Sequence, residues 1–525
     1  MLGREDPQRT LLEVELWAGR EIVPADSFYG RFAQVAQRLV SDDTFTRCYG
    51  TRGRPSVSPA LLTKVLLLAL HDGCSDRRAI EHMRMHLGWK LALGLPLDDL
   101  GCHPTTLTVF RARLVLHDLD RELFTDVVRK AVEAGLLPKN AVQLVDSSAI
   151  LGAGAVQDTY TLLRKALSRV VRAGQTRLPE ELRPRLERYI DAKKPEIDWD
   201  DAEARREELG KLVADARIAI AALPEVLPDG QDEEEAVRVQ LARALLEQVL
   251  AQDVEEGEDG KPQLRQGVTR ERVPSLTDPD MRHGRKSAAR KWSGYKQHVM
   301  TDPDTELVTA VAVSPASAGD GSMLPELLAQ QQENGLSPSQ VVGDQAYGGG
   351  ALREALAEQG VEVVAKVAPI SNGEFFSKDK FTIDLEARTV RCPAGHTARI
   401  HGPIRSGLVQ RVEYPAPLCA ACPLRSQCVR GSGGRSITIA AYEAQRQRAR
   451  ALQREPATQV LLHLRPLVER KLAHLVRWGG RKARYRGQRK VGLQCFLVGL
   501  LANLDRLSRM VLGDPSLLSR LAPAI

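Results

Sequence analysis

The chain reads as an α/β protein: a mixed-direction sheet whose first strand is cut off from the others by a long helical insertion, with an all-helical segment in front. Three observations carry that reading. Residues 27–138 show helical periodicity with capping signals. Short apolar runs of strand length follow: AVQLVD (141–146), YKQHVMTD (295–302), TELVTAVAVS (305–314), SQVVGD (339–344) and VEVVAKV (361–367). Between the first run and the rest lie residues 152–275, helical in period and interrupted by prolines 179, 184, 195, 224 and 228. The two runs around Pro303-Asp304 predict an antiparallel hairpin, whereas runs separated by helices pair in parallel, hence the mixed sheet.

Composition sets the limits. At 525 residues the chain exceeds one compact core, and 43% hydrophobic with 27% charged residues excludes wholesale disorder and a fibrous class. No apolar run reaches the ~20 residues of a bilayer span, and the opening MLGREDPQRTLLEVEL is too acidic for a secretion signal. A soluble, cytoplasmic protein is expected, with no membrane partner. The net charge of +7 conceals two poles. Residues 198–260 hold 19 acids against 6 Lys/Arg, while residues 441–490 hold 14 Lys/Arg against 3 acids. A basic C-terminal pole suits a polyanion, nucleic acid first.

Taken in order, Ser58 caps a helix that Pro59 opens and Gly73 closes, and Ser75 starts another. Pro104 leads into a third, with Leu107, Phe110 and Leu114 on one face and Arg111 and Arg113 on another. Short helices joined by tight turns fit a helix-turn-helix DNA reader, and equally a plain bundle. The expected organisation is an arm (1–26), a helical DNA-binding or dimerisation domain (27–138), the sheet core (139–151 and 276–375), the acidic helical insertion (152–275), a cysteine-rich insertion (376–440), basic C-terminal helices (441–510) and a tail (511–525). The acidic runs 198–201 and 232–235 read as solvated helix faces and are assigned no chemistry.

Asp146 and Asp344 occupy equivalent places, each the last residue of an apolar strand. On neighbouring strands both would project into one crevice, where two carboxylates repel unless a cation lies between them. Two Mg²⁺ or Mn²⁺ ions resolve that repulsion and suit in-line attack on a phosphodiester. The competing reading is a strand-end Asp that caps a turn. Glu469 is the candidate third acid: it follows Pro466 in a predicted helix and is the only acid between Pro456 and Leu504. Arg465 and Arg477 flank it as phosphate contacts. Four cysteines, Cys392, Cys419, Cys422 and Cys428, give C-x26-C-x2-C-x5-C, enough for one structural Zn²⁺, with His396 able to replace a thiolate; reduced cysteines without metal are the alternative. Cys48, Cys74, Cys102 and Cys495 are isolated and read as core.

LVDSSAI, DPDMRHGRKSAARKWSGYKQH, VVGDQAYGG, CPAGH…CAACPLRSQC and VERKLAHLVRWGGRKARYRG followed by NLDRL together resemble bacterial insertion-sequence transposases of the DDE class. The branch is the one with a helical N-terminal domain, here GRPSVSPALLTKVLLLALHDGCSDRRAIEHMR, and a cysteine-rich segment before the glutamate. The resemblance spans residues 27 to about 508. It implies a ribonuclease-H-like core in which Asp146, Asp344 and Glu469 are the metal-binding acids. It further implies nicking at the element's ends, attack of the freed 3′-hydroxyl on target double-stranded DNA, and a homodimer on two ends. Arg465 matches the arginine of the family's glutamate motif; Leu462 and Val476 stand where its tyrosine and lysine are expected. Arg481, Lys482, Arg484, Arg486, Arg489 and Lys490 would position the DNA backbone. Lys286, Arg290, Lys291 and Lys296, with Trp292 and Tyr295 interleaved, would form a further basic–aromatic patch. Two other readings stand beside this one: a non-catalytic, domesticated DNA-binding protein, and a metal-dependent nuclease without strand transfer.

Overall fold

The computed structural model describes residues 1–2, 22–190, 195–223, 233–267, 269–402 and 407–521. Most of the expected arm, prolines 224 and 228, Asp232 and the last four residues of the tail lie outside them. The N-terminal helices are α1 (Phe28–Leu39), α2 (Pro59–His71), α3 (Asp76–Met85), α4 (Leu87–Leu93), α5 (Pro104–Leu116) and α6 (Leu119–Glu133). Local chemistry explains their starts. Ser58 Oγ accepts from Leu61 N with Pro59 in the first turn, and Ser75 Oγ accepts from Arg78 N.

The chain then forms β1 (Gln143–Leu151), three longer helices α7 (Thr159–Ala173), α8 (Ala202–Ala222) and α9 (Glu233–Asp253), and a short hairpin β2–β3 (Val254–Glu256 and Pro262–Leu264). Next come β4 (Arg282–Arg285), β5 (Lys291–Thr301), β6 (Val308–Pro315), α10 (Leu324–Glu333), β7 (Gln340–Val342), α11 (Gly350–Glu358) and β8 (Glu362–Val364). The main sheet runs β4-β5-β1-β7-β8, with β6 also pairing to β5. β1, β5 and β6 are antiparallel, whereas β1, β7 and β8 are parallel. This is the mixed sheet expected, with the ribonuclease-H-like arrangement of an antiparallel hairpin beside parallel strands.

Side-chain alternation builds the two layers. Leu144 and Val299 join the core shared with α14 (Arg465–Leu475) and α15 (Gln488–Gly513), while Val145 and Met300 face Leu324, Leu327 and Leu356 of α10 and α11. α15, 26 residues long, is the central post. Its Asn503 holds Val308 of β6 by both backbone groups, accepting from N and donating to O at 2.7 Å each. The helical N-terminal segment shares the same core as α14 and α15, through Phe32, Leu67 and Phe124 among others. Arg31 meets Asp505 of α15 at 3.0 Å.

The two insertions have their own cores. Leu162, Leu167, Leu212, Val213, Leu246 and Val249 close the insertion's helices on one another. Phe381, Val390, Ile400, Val412, Tyr414 and Ile437 do the same for the cysteine-rich segment and its small antiparallel sheets. No helix among the described residues is long and apolar enough to cross a membrane.

Candidate active site

Asp146 lies within β1, not at its end. The strand continues through Ser147–Leu151 because these residues extend the antiparallel ladder with β5, Ser147 opposite His298 and Ile150 opposite Tyr295. What stops near Asp146 is the parallel pairing, since β7 pairs only with Gln143 and Leu144. From there one edge of β1 is uncovered, and Asp344, two residues past the end of β7, stands at that opening. Gly343 permits the approach: a Cβ there would lie 2.9 Å from Val145 Cγ1 and 3.0 Å from the Tyr347 ring. Asp344 also caps a turn, its Oδ1 accepting from Ala346 N at 2.8 Å, so the capping reading is correct as far as it goes.

Asp146 has the same strand parity as Leu144 and so faces the α14 side of the sheet. There Val468, Leu472 and Leu475 are buried against the core, while Glu469 is exposed and pairs with Arg465 one turn earlier at 3.1 Å. The three acids share one electrostatic field. Burial pushes the Asp146 carboxyl up to about 6 against a hydrogen bond from Ser147 N; Asp344 and Glu469 raise it further and Arg465 opposes them. These are hard oxygen donors of the kind that Mg²⁺ or Mn²⁺ takes, and a cation beside them would favour the ionised form of Asp146. Among the described residues, however, no three His, Cys, Asp or Glu side chains are gathered closely enough to hold a metal ion.

Two neighbours escaped the sequence reading. Tyr347 is fully buried beside the acids, its phenol held well above the ordinary range by burial and then by Asp320, Asp146 and Asp344. Asp320, in the loop after β6, pairs with Lys296 at 2.7 Å. The only sequence signal for it was its place just beyond a strand, the same signal that singled out Asp344.

The cations divide into two groups. Arg111 pairs with Asp76 at 2.9 Å and lies over Tyr485, Arg113 lies over Tyr49, and Arg484 donates to Cys74 O. Arg489 reaches Asp120 and Asp118, and Lys296 is also bonded to Ala318 O. These five hold the fold together. Lys286, Arg290, Lys291, Arg477, Arg481, Lys482, Arg486 and Lys490 are exposed. The segment 481–483 runs beside the end of β1, with Leu151 N donating to Arg481 O and Ala483 N to Leu151 O. In the basic–aromatic patch Trp292 is half-buried and donates to Tyr295 O. Tyr295 is fully buried and donates to Asp278, so it offers no face for stacking, which corrects that part of the expectation.

Cys392, Cys419, Cys422 and Cys428 line one small cavity of about 30 Å³ with His396 and Tyr414. Burial raises the Cys428 thiol, and the other three cysteines act on it in part. Cys74 and Cys495 are buried, and Cys48 and Cys102 half-buried.

Residues 265–504 match the family model described as the transposase DDE domain, and residues 18–113 match the one described as Transposase domain (DUF772). Asp344 and Glu469 fall inside the first match, and Asp146 lies between the two. No curated protein and no solved structure matches the chain.

Proposed function

The chain belongs to the DDE-class transposases of insertion sequences, and we propose that it binds the inverted repeats at its element's ends, cuts there and joins the 3′-hydroxyls to target DNA. The observation that supports this reading is the electrostatic link between acids from three separate elements: Asp146 on β1, pushed up to about 6 by burial, is raised further by Asp344 after β7 and Glu469 on α14. Divalent ions of the Mg²⁺ or Mn²⁺ type, two by the family's pattern, would supply activation of the attacking oxygen and charge stabilisation on the leaving one. The protein's own part is to keep the three carboxylates on rigid elements; burial disfavours the ionised form of Asp146, which a bound cation would favour. Arg465, paired with Glu469 at 3.1 Å, would orient that carboxylate. The exposed Arg481, Lys482, Arg486 and Lys490 would steady the backbone next to the end of β1. Water, then the freed 3′-hydroxyl, is the nucleophile, so no protein nucleophile is called for. A homodimer would bring two ends together.

The test is strand cleavage and joining on labelled DNA bearing the element's ends, with wild type beside Asp146→Asn, Asp344→Asn and Glu469→Gln. Cutting and joining by wild type, lost in all three variants while binding persists, supports the reading. Specific binding without cutting by wild type would leave a DNA-binding protein, and cutting without joining a nuclease. For the cysteine cavity we propose one structural Zn²⁺ on Cys392, Cys419, Cys422 and Cys428. Elemental analysis should find about one zinc per chain; a metal-free, equally stable protein would remove it.

A further inference from the structure

A second charged feature lies on α14 away from Glu469. At about 100° per residue, Arg470, Lys471 and His474 sit roughly 100–200° round the axis from that acid. They face Arg506 and Arg509 of α15 and the turn between β5 and β6, and with Arg477 they enclose a cavity of about 370 Å³ over Trp478 and Ala502. Among the described residues, its only acids are Glu306 and Asp505. Both are already engaged: Glu306 by Arg470 at 2.9 Å, Asp505 by Arg31 at 3.0 Å and Arg509 at 3.1 Å. Arg506 donates to Thr305 O. Among the described residues, Lys471 and Arg477 have no ion pair and donate no hydrogen bond. Yet Lys471 is only 5% exposed, and burial pulls its ammonium down to about 8, with Glu306 and Asp505 opposing and Arg506 and Arg470 adding to the fall. A buried ammonium without a direct ion pair is costly, and an anion entering the cavity would reduce that cost.

We propose that this cavity binds phosphates of a DNA backbone that runs on from the active site over the far side of α14. The ligand is an extended polyanion and not a single ion, because the volume is that of a ligand site and the walls carry several separated cations. The cavity's Arg477 and Trp478 lie a few residues before the exposed Arg481 and Lys482 in the chain, and the cavity abuts the N-terminal helices, where Trp478 and His71 have ring centroids 6.3 Å apart. The backbone would therefore be gripped where the helical segment meets the sheet core. The inference rests on the transposase reading.

The experiment measures binding of duplex DNA carrying the element's end, without divalent metal, over a series of salt concentrations. Wild type is compared with Lys471→Met, Arg477→Gln and the double variant. Lys471→Met keeps the unbranched stem and removes a buried charge, so it should melt no lower than wild type. Each single change should weaken binding about tenfold at low salt, and the double variant should flatten the slope of log K against log salt by about 2, close to 0.9 for each phosphate no longer neutralised. Unchanged affinity and slope in all three variants, with wild type still cutting DNA, would overturn the proposal and leave the transposase reading intact. Stabilisation by inorganic phosphate that Lys471→Met abolishes, with DNA affinity untouched, would overturn it in favour of a small-anion site. A wild type that binds no DNA at all would sink both.

Discussion

Asp215 in the helical insertion and Asp146 in the sheet are both carboxylates drawn into the protein, and they are treated in opposite ways. Asp215 is fully buried. Burial alone would raise its pKa, but Tyr189 donates to it at 2.6 Å, Arg185 at 2.6 Å, and Arg188 also bonds it, so the carboxyl ends below its ordinary range. Burial pushes Asp146 up to about 6, because its one hydrogen bond, from its neighbour's backbone, and the charge of Arg465 do not offset it, and Asp344 and Glu469 raise it further. The insertion neutralises its buried acid from within. The sheet leaves its half-buried acid uncompensated, and such a charge persists where something outside the chain completes it.

Breaking the first partner set should have the largest effect. Asp215→Ala leaves the buried Tyr189 phenol without its acceptor, while the half-exposed Arg185 and Arg188 can turn to water, and should cost up to about 3 kcal/mol. Thermal or urea unfolding will read it, and a loss under ~1 kcal/mol would mean that the network is not holding the insertion. Next, Asp344→Asn should reduce DNA cleavage by more than about 10²-fold, since a carboxylate facing the reacting phosphodiester is gone. Its melting temperature should stay close to wild type, because the amide oxygen can still accept from Ala346 N. Cleavage within threefold of wild type would remove Asp344 from the site.

The third prediction concerns pH. A carboxyl raised from 3.8 to about 6 in the folded state favours folding while protonated, so its contribution is full below about pH 4 and is lost as pH rises towards 6. Without divalent ions, Asp146→Asn should therefore be more stable than wild type at pH 8 by on the order of 2–3 kcal/mol, with the gap closing near pH 4. Added Mg²⁺ should stabilise wild type and not the variant. Equal stability at both pH values would show that Asp146 is solvated like a surface acid.

What sequence made visible follows the range of the forces involved. Capping serines, a proline in the first turn and apolar periodicity are local, and Ser58, Ser75 and five of the six strands of the main sheet could be read from them; β4, RHGR, carries no apolar run and could not. Asp344 was equally local, an acid just past an apolar run. The end of β1 was not: SSAIL is small and polar enough to pass for a loop, and it is a strand only because β5, some 150 residues later, pairs with it. The same holds for the cations. Arg111, Arg489 and Lys296 look like free charges until Asp76, Asp120 and Asp320 are brought to them by the fold. Nor could any window of sequence show that helices α1 to α6 share a core with α15, hundreds of residues away.

The smallest expected effect tests whether Glu469 belongs with Asp146 or with Asp215. Its pairing with Arg465 at 3.1 Å has the form of a structural ion pair, but Glu469 is 55% exposed and the two lie four residues apart on one helix. Such pairs contribute about 0.3–0.5 kcal/mol, because water screens both charges and ordering two long side chains offsets much of the gain. Glu469→Gln should therefore shift stability by less than ~0.5 kcal/mol while keeping a neutral hydrogen-bond acceptor for Arg465. If the residue is the third acid of the site, DNA cleavage should nevertheless collapse, and the pH at which Asp146 ionises should fall slightly because one repelling charge has gone. A variant that loses stability and keeps its cleavage rate would place Glu469 with the acids that hold the fold, and the third carboxylate would then have to be sought in Asp320, the remaining acid beside Tyr347.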